Sequence, residues 1–420
     1  MTTLDPQQQR QFAVDVTRQL RDAGYEAYWA GGCVRDQLLG HTPVDYDVAT
    51  SARPEQIRDL FGKGRTLPIG AAFGVITVLG PKPAGQIEVA TFRQDADYSD
   101  GRRPDEVHFS TAEEDALRRD FTINGMFYDP VEEKTIDYVG GQEDLRRGVV
   151  RAIGNAAERI EEDKLRMLRA VRFAATFDFK LDETTTEAVR QHAGQLTVVS
   201  AERIGAEMRR MLLHHRRAIA IEKLRTTGLL EIVLPEHFEG LTGAAWDETL
   251  ALLAALEEPS YPLAIVALLY HHTDTETLPA ITRGWRLSNK IAERTAWLLA
   301  GVESLDGAAG MFWPRVQRIL IHDGAAELVE LLAARVSLGI AAADDLAFVQ
   351  DRLAWPAERL NPPLLITGDD LVRCGYKPGK AFRRLLDATR DAQLEGQIQT
   401  PEEALRLVER LVAESSSGGR

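Results

Sequence analysis

Apolar positions recur in two rhythms along this chain, and the change from one to the other divides it. Phe12, Val16 and Leu20 fall four apart behind Asp5-Pro6, a capping residue followed by proline at a first helical position. That pattern predicts an amphipathic helix ending near Gly24. The short run Ala27-Tyr28-Trp29-Ala30 leads into Gly31-Gly32 and then a helical pattern from Val34 to Leu39, stopped by Gly40. Strand, glycine turn and helix are expected there in that order. Val44 to Ala49 alternates as a strand does, and Pro54 to Phe61 predicts a helix. Phe73 to Leu79 and Gln86 to Phe92 predict strands joined by a Pro/Gly turn. Beyond roughly Asn155 the period of two fades, and helical patterns rich in Leu, Ala, Glu and Arg run to the end. The expected fold class is α+β, with a mixed α/β head carrying a small β-sheet over residues 1–150 and all-α segments after it. Candidate breaks lie near Gly148 to Asn155, near Gly240 to Gly243 and around Asn361-Pro362-Pro363.

Composition narrows the function classes. The 420 residues are 44% hydrophobic and 27% charged, enough for sizeable cores. The first residues are polar, and no apolar run approaches the roughly 18 needed to span a bilayer, so a soluble, cytoplasmic protein without a membrane partner is expected. Cys33 and Cys374 stand far apart with no Cys or His at metal spacing, and read as inert fillers. A net charge of -14 argues against a protein that coats nucleic acid indiscriminately. It leaves room for RNA as a substrate, because basic clusters occur at Arg166 to Arg172, Arg203 to Arg217 and Arg373 to Arg390.

Asp45 and Asp47 carry the chemistry. Two residues apart on a strand, they project from one face and bring two carboxylates together, which is unfavourable unless a cation lies between them. Hard oxygen ligands of this kind suit Mg²⁺, which keeps waters and substrate phosphates as its remaining ligands. Taken alone, the same pattern more often simply keeps a strand edge soluble. Just upstream, Gly31-Gly32-Cys33-Val34-Arg35-Asp36 opens a helix. Bare amides at Gly32 can approach phosphate closely, and Arg35 can fork onto it.

The run Gly31-Gly32-x-Val34-Arg35-Asp36-x-Leu38-Leu39-Gly40 followed by Asp45-x-Asp47 resembles the signature of class II CCA-adding enzymes and bacterial poly(A) polymerases. These are polymerase β-like nucleotidyltransferases. Three more blocks resemble the family in order: Arg118-Arg119-Asp120-Phe121-Thr122-Ile123-Asn124-Gly125, with glycine where the family usually has alanine; Glu162-Asp163-Lys164-Leu165-Arg166 running into Arg169, Arg172 and Phe173; and Ala201-Glu202-Arg203-Ile204 with Glu207. The likeness runs from Tyr25 to about Leu213 and returns weakly from Leu365 to Gly379. It implies a nucleotidyltransferase head over 1–150, a base-recognising neck over 151–217, a body over 218–360 and a tail over 361–420. In that tail the turn Gly375 to Gly379, followed by Lys380, Arg383 and Arg384, equally suits a grip on tRNA backbone or a helical hairpin with a basic surface.

The resemblance also implies roles. Asp45 and Asp47 would hold two Mg²⁺ ions, one acting on the RNA 3′-hydroxyl and one on the triphosphate. Glu88 stands on a neighbouring predicted strand as a possible third carboxylate, or as plain surface. Gly32, Arg35, Arg119 and Asp120 would meet the nucleotide's phosphates or ribose. Asp163 and Arg166, three apart on a helix, would present an acceptor beside a donor, matching the edges of cytosine and adenine and not those of guanine and uracil. Arg169 and Arg172 fall to phosphate contacts or to positioning that pair. ATP, CTP and tRNA are the implied partners, and addition of C and A to the tRNA 3′ end the implied reaction. A loop at Tyr98 to Pro104 would help the site pass from C to A. Poly(A) polymerase is the nearest rival, although Pro68 to Val75 lacks the paired basic residues typical of it. Enzymes adding only A or only CC remain open. His271, His272, Asp274, His322 and Asp323 hint at a His-Asp phosphohydrolase, but their order and spacing do not match that motif, and the presence of both Asp45 and Asp47 disfavours an inactive RNA-binding relative.

Overall fold

The computed structural model describes residues 4–95, 107–234, 243–271 and 278–417. The chain divides into two compact units, Met1–Gly240 with Ala280–Arg286, and Leu241–Pro279 with Leu287–Arg420.

The first unit begins with α1 (Pro6–Asp22). The Asp5 carboxylate accepts from the amides of Gln7 and Gln8, Pro6 fills the first turn, and Phe12, Val16 and Leu20 are buried. β1 (Ala27–Ala30) then runs into Gly31, whose φ of +72° is a left-handed turn that starts α2 (Gly32–Leu38) at once. After α2 come β2 (Asp47–Thr50), α3 (Pro54–Phe61), β3 (Thr66–Gly70), β4 (Val75–Leu79) and β5 (Gln86–Thr91). β6 (Arg93–Asp95) and β7 (Val107–Phe109) form an antiparallel pair, and α4 (Ala112–Leu117), β8 (Phe127–Asp129), β9 (Lys134–Ile136) and α5 (Gly141–Arg147) complete the head.

Seven strands make one sheet in the order β3-β4-β5-β2-β1-β8-β9. β2 is central, antiparallel to β1 and parallel to β5, with Asp47 opposite both Ala30 and Glu88. The alternating pattern places the start of this strand at Val44, but pairing starts at Asp47. Pro43 has no N–H to give a ladder, and the Val44 carbonyl is taken by the Gln9 side chain instead. Phe73 likewise falls in a short turn ahead of β4, where Gly74 adopts φ +80°.

Helices follow: α6 (Ala156–Glu162), α7 (Arg166–Phe177), α8 (Glu183–His192), α9 (Ala201–Leu212), α10 (Arg217–Thr226) and α11 (Leu230–Val233). One strand pair interrupts this otherwise helical region, β10 (Val149–Val150) parallel to β11 (Lys180–Leu181), too short to leave a period of two in the sequence. Nor does a single helix run from Asp163 to Arg172. The chain breaks at Asp163 (φ -146°, ψ 103°), whose carboxylate accepts from the Leu165 amide and so takes the place of a helical bond before α7.

In the second unit the regular elements among the described residues are helical. Its last three helices, Gly368–Arg373, Lys380–Leu394 and Pro401–Ser417, close around Leu371, Leu385 and Val408. No described helix is long and apolar enough to cross a membrane.

Within the head, α5 presses on the turn that carries Thr122 and Asn124. A Cβ added at Gly141 would lie 2.2 Å from the Thr122 carbonyl oxygen, a backbone atom that cannot swing aside. Gly141→Ala should therefore cost about 1–3 kcal/mol in a denaturant melt. A neutral result would show that the two segments separate freely.

Candidate active site

A cleft of about 680 Å³ opens in the first unit. Gly31, Gly32, Arg35, Asp45, Asp47, Arg118, Arg119, Asp120 and Asn124 supply its head wall, and Asp163, Arg166, Arg169, Arg172, Phe173 and Arg210 its helical wall. All ten residues singled out in the sequence thus line one space, joined by five others.

Two carboxylates, Asp45 and Asp47, line this cleft, and Glu88 lies on the neighbouring strand in an adjoining groove. Asp47 opens β2, Asp45 stands two residues before it, and Glu88 faces Asp47 across the parallel ladder. No described side chain or amide donates to Asp45 or Asp47. Asp47 reaches solvent along the cleft but is enclosed by protein elsewhere. That enclosure, with the charges of Asp45 and Glu88 added and Arg119 offsetting only part, pushes its pKa up to about 6. An uncompensated group of hard oxygens is the donor set a divalent cation neutralises. Among the described residues no three His, Cys, Asp or Glu side chains are grouped so as to hold a metal ion. An ion here would rest on two carboxylates and complete its shell with water and phosphate, as Mg²⁺ commonly does. A second groove of about 750 Å³ shares Asp45 and Asp47 and adds Gln9, Val44, Tyr46 and Glu88. Cys33, buried beside this strand, has its thiol pushed up to about 12 by burial and offers no nucleophile.

The arginines are committed to internal partners. Arg118 and Arg119 both pair with the buried Asp115 at 2.7 and 2.9 Å, and Arg119 lies over the Phe127 ring. Gly31 leaves room for Arg119, since a Cβ there would come within 3.1 Å of its guanidinium. Arg35 is expected to fork onto phosphate, yet it is buried. It donates to Asp36 at 2.8 Å and to the Asn124 side-chain oxygen at 2.6 Å, and lies over the rings of Phe173 and Phe177.

Asp120 is equally engaged. One oxygen accepts from the Phe121 amide and Asn124, the other from Arg169 at 2.6 Å. Burial alone would raise its pKa, but Arg169 and Asn124 hold it down at about 2. Arg172 pairs with buried Glu207, which Arg210 also reaches.

The proposed acceptor and donor pair needs correction in its geometry. Asp163 lies outside any helix, so it and Arg166 are not helical neighbours. Asp163 accepts from Arg203 at 2.6 Å, while Arg166 donates to Glu162 and to the carbonyls of Arg159 and Arg118. Both still line the cleft, brought there by the break between α6 and α7.

Sequence reasoning missed Asn124 as the link between Arg35 and Asp120, and Phe173 as a ring beneath three guanidiniums, those of Arg35, Arg169 and Arg172. Asn124 falls in the stretch Arg118 to Gly125 and Phe173 closes the stretch that starts at Glu162. The loop from Tyr98 to Pro104 lies outside the described residues, as do His272 and Asp274. His271 sits 3.6 Å from Glu248, and His322 stacks on Trp297.

The head matches the family described as Poly A polymerase head domain over residues 27–151, and residues 178–241 match a probable RNA and SrmB-binding site of polymerase A. A CCA-adding enzyme of Geobacillus kaustophilus is 35% identical over 94% of this chain and 95% of its own length. The crystal structure of the Bacillus stearothermophilus CCA-adding enzyme in complex with CTP aligns with a TM-score of 0.79 at 29% identity, covering 97% of this chain and 99% of that one. The Thermotoga maritima CCA-adding enzyme complexed with tRNA shares the fold at 19% identity, with a TM-score of 0.67 over 96% and 95% of the two chains.

The crowding of Asp47 has a measurable sign. The folded state binds its proton more tightly than the unfolded chain does, so ionisation destabilises the fold progressively as pH rises from 3.8 to about 6 and fully above that. In EDTA, Asp47→Asn should raise Tm near pH 7.5 and change it little near pH 4. An equal shift at both would remove the charge argument.

Proposed function

Because this chain belongs to the family of CCA-adding enzymes, we propose that its cleft adds C and A ribonucleotides to the 3′ end of tRNA without a nucleic-acid template, releasing pyrophosphate. The observation that carries this is the convergence of Asp45 and Asp47 on the cleft that Asp163 and Arg166 also line. Nucleotidyltransferases of this family use divalent metal ions. Asp45 and Asp47 would hold Mg²⁺ in a two-metal arrangement, which when bound neutralises the triphosphate and lowers the pKa of the attacking 3′-hydroxyl.

The remaining residues position and discriminate. Arg169, Arg172 and Arg210 set positive charge along the cleft wall where a triphosphate would lie. Asp120 orients Arg169, and Glu207 orients Arg172 and Arg210. Asp163 keeps acceptor capacity beyond its bonds to Leu165 and Arg203, and Arg166 keeps N–H groups beyond its three acceptors. An exocyclic amine beside a ring-nitrogen acceptor, as in cytosine and adenine, satisfies both. Guanine and uracil reverse that edge and would leave buried polar groups unpaired, at roughly 1–3 kcal/mol each. CTP and ATP are then the nucleotide partners, tRNA the acceptor, and the cytoplasm the place of action.

Transcripts of tRNA ending before C, after C and after CC, given each ribonucleotide separately with Mg²⁺, should take up C, C and A in that order. Failure at any one step would mark an A-only or CC-only enzyme, and long A tails on unrelated RNA would mark a poly(A) polymerase. Alanine at Asp45 or Asp47 should abolish extension. Asp163→Ala should still extend but admit U and G about 10- to 100-fold more readily relative to C and A; unchanged selectivity in kcat/KM would remove Asp163 from base choice.

A further inference from the structure

Asp45 and Asp47 are held by different means. Asp47 is fixed by ladders on both sides, to β1 and to β5. Asp45 precedes the strand, and residues 42–46 make no backbone-to-backbone hydrogen bond among the described residues. One side chain supplies what the ladder does not: Gln9 Nε2 donates to the Val44 carbonyl at 3.0 Å.

Gln9 is only 6% exposed and lies among the buried positions of α1 with Phe12, Val16 and Leu20. A buried amide left without a partner costs about 1–3 kcal/mol, so the bond to Val44 accounts for a glutamine there. The Val44 side chain is 84% exposed and anchors nothing, which leaves its carbonyl as the handle. On the other side of Asp45, the Tyr46 ring packs edge-on against Trp29 at 4.7 Å. The carboxylate is therefore gripped from the residue before it by a polar tie and from the residue after it by an aromatic contact. Gln9 and Asp45 line the same groove.

We infer that Gln9 is a positioning residue for nucleotidyl transfer, its amide holding the Asp45 segment so that the two carboxylates keep a spacing that a divalent cation can bridge. The inference rests on the reading of Asp45 and Asp47 as cation ligands. Gln9 acts through Val44 on Asp45 and has no part in nucleotide contact. Removing its donor leaves Asp47 in its ladder and frees Asp45, so cation affinity falls while nucleotide affinity holds. Loss of an outer partner that orients a metal ligand typically costs about 10- to 100-fold in metal affinity or activity.

Two variants separate the tie from packing. Gln9→Met keeps length and volume but deletes the donor, and Gln9→Asn keeps the amide one methylene short of Val44. Mn²⁺ is titrated into the intact chain and followed by electron paramagnetic resonance, with and without CTP, and kcat and KM for CTP are measured across a Mn²⁺ series. Both variants should bind Mn²⁺ about 10- to 100-fold more weakly. They should lose kcat at low Mn²⁺, regain most of it at saturation, and keep the wild-type KM for CTP. Leu20→Ala, on the same helix away from the tie, should lower Tm and leave Mn²⁺ affinity unmoved. Wild-type Mn²⁺ affinity in the Gln9 variants overturns the inference, and should Gln9→Met fail to fold, Gln9→Asn decides. Asp45→Asn tells the two levels apart. If it binds Mn²⁺ as the wild type does, the cation reading and this inference fall together; if it loses Mn²⁺ while the Gln9 variants do not, only the inference falls.

Discussion

Backbone hydrogen bonds hold together side chains that repel one another. β2 is paired on both edges, and that pairing sets Asp47 opposite Glu88 whatever the electrostatic cost. A side chain on a free loop would turn away from two like charges, but a strand inside a seven-stranded sheet has no such freedom. The cost is carried by the whole sheet, whose β1 and β5 neighbours are themselves tied into further ladders. The turn at Gly31, the start of α2 and the placement of Arg119 follow from the same register, since β1 ends where β2 begins. Repulsion stored in this way is the form in which a fold keeps a place ready for a cation.

Much of this was legible in the sequence because the signals were strong. The four-residue spacing of Phe12, Val16 and Leu20 and the glycine pair after Ala30 each have one natural structural reading, and the structure follows them. Of the two acids after Val44, only Asp47 stands on the strand expected for both. The boundaries at Val44 and Asp163 were not legible, and the reason is the same for both. An alternating or helical pattern continues through each, but one side-chain hydrogen bond overrides it: the Gln9 amide captures the Val44 carbonyl, and the Asp163 carboxylate captures the Leu165 amide. The commitments of Arg35 and Asp120 were hidden for a related reason. A motif says which residues gather, whereas the partner each one chooses depends on Asn124, Phe173 and Phe177, distant in sequence and joined only by folding.

The cleft reconciles an acidic chain with an anionic substrate. Against a net charge of -14, it collects arginines on both walls and gives these a partner inside the fold: Asp115 for Arg118 and Arg119, Asp120 for Arg169, Glu207 for Arg172 and Arg210, Glu162 for Arg166. Ion pairs of this kind add little net stability, because desolvation offsets attraction. What they supply is direction. A guanidinium held by a carboxylate from one side points its remaining N–H groups a fixed way.

Phe173 completes that arrangement, with Arg35, Arg169 and Arg172 all resting over one ring. Long, many-jointed side chains normally surrender their rotational freedom when a ligand arrives, at about 0.5–1.5 kcal/mol apiece. Here that surrender is made once, as the polypeptide folds, and successive nucleotides in a round of synthesis meet a surface already stilled.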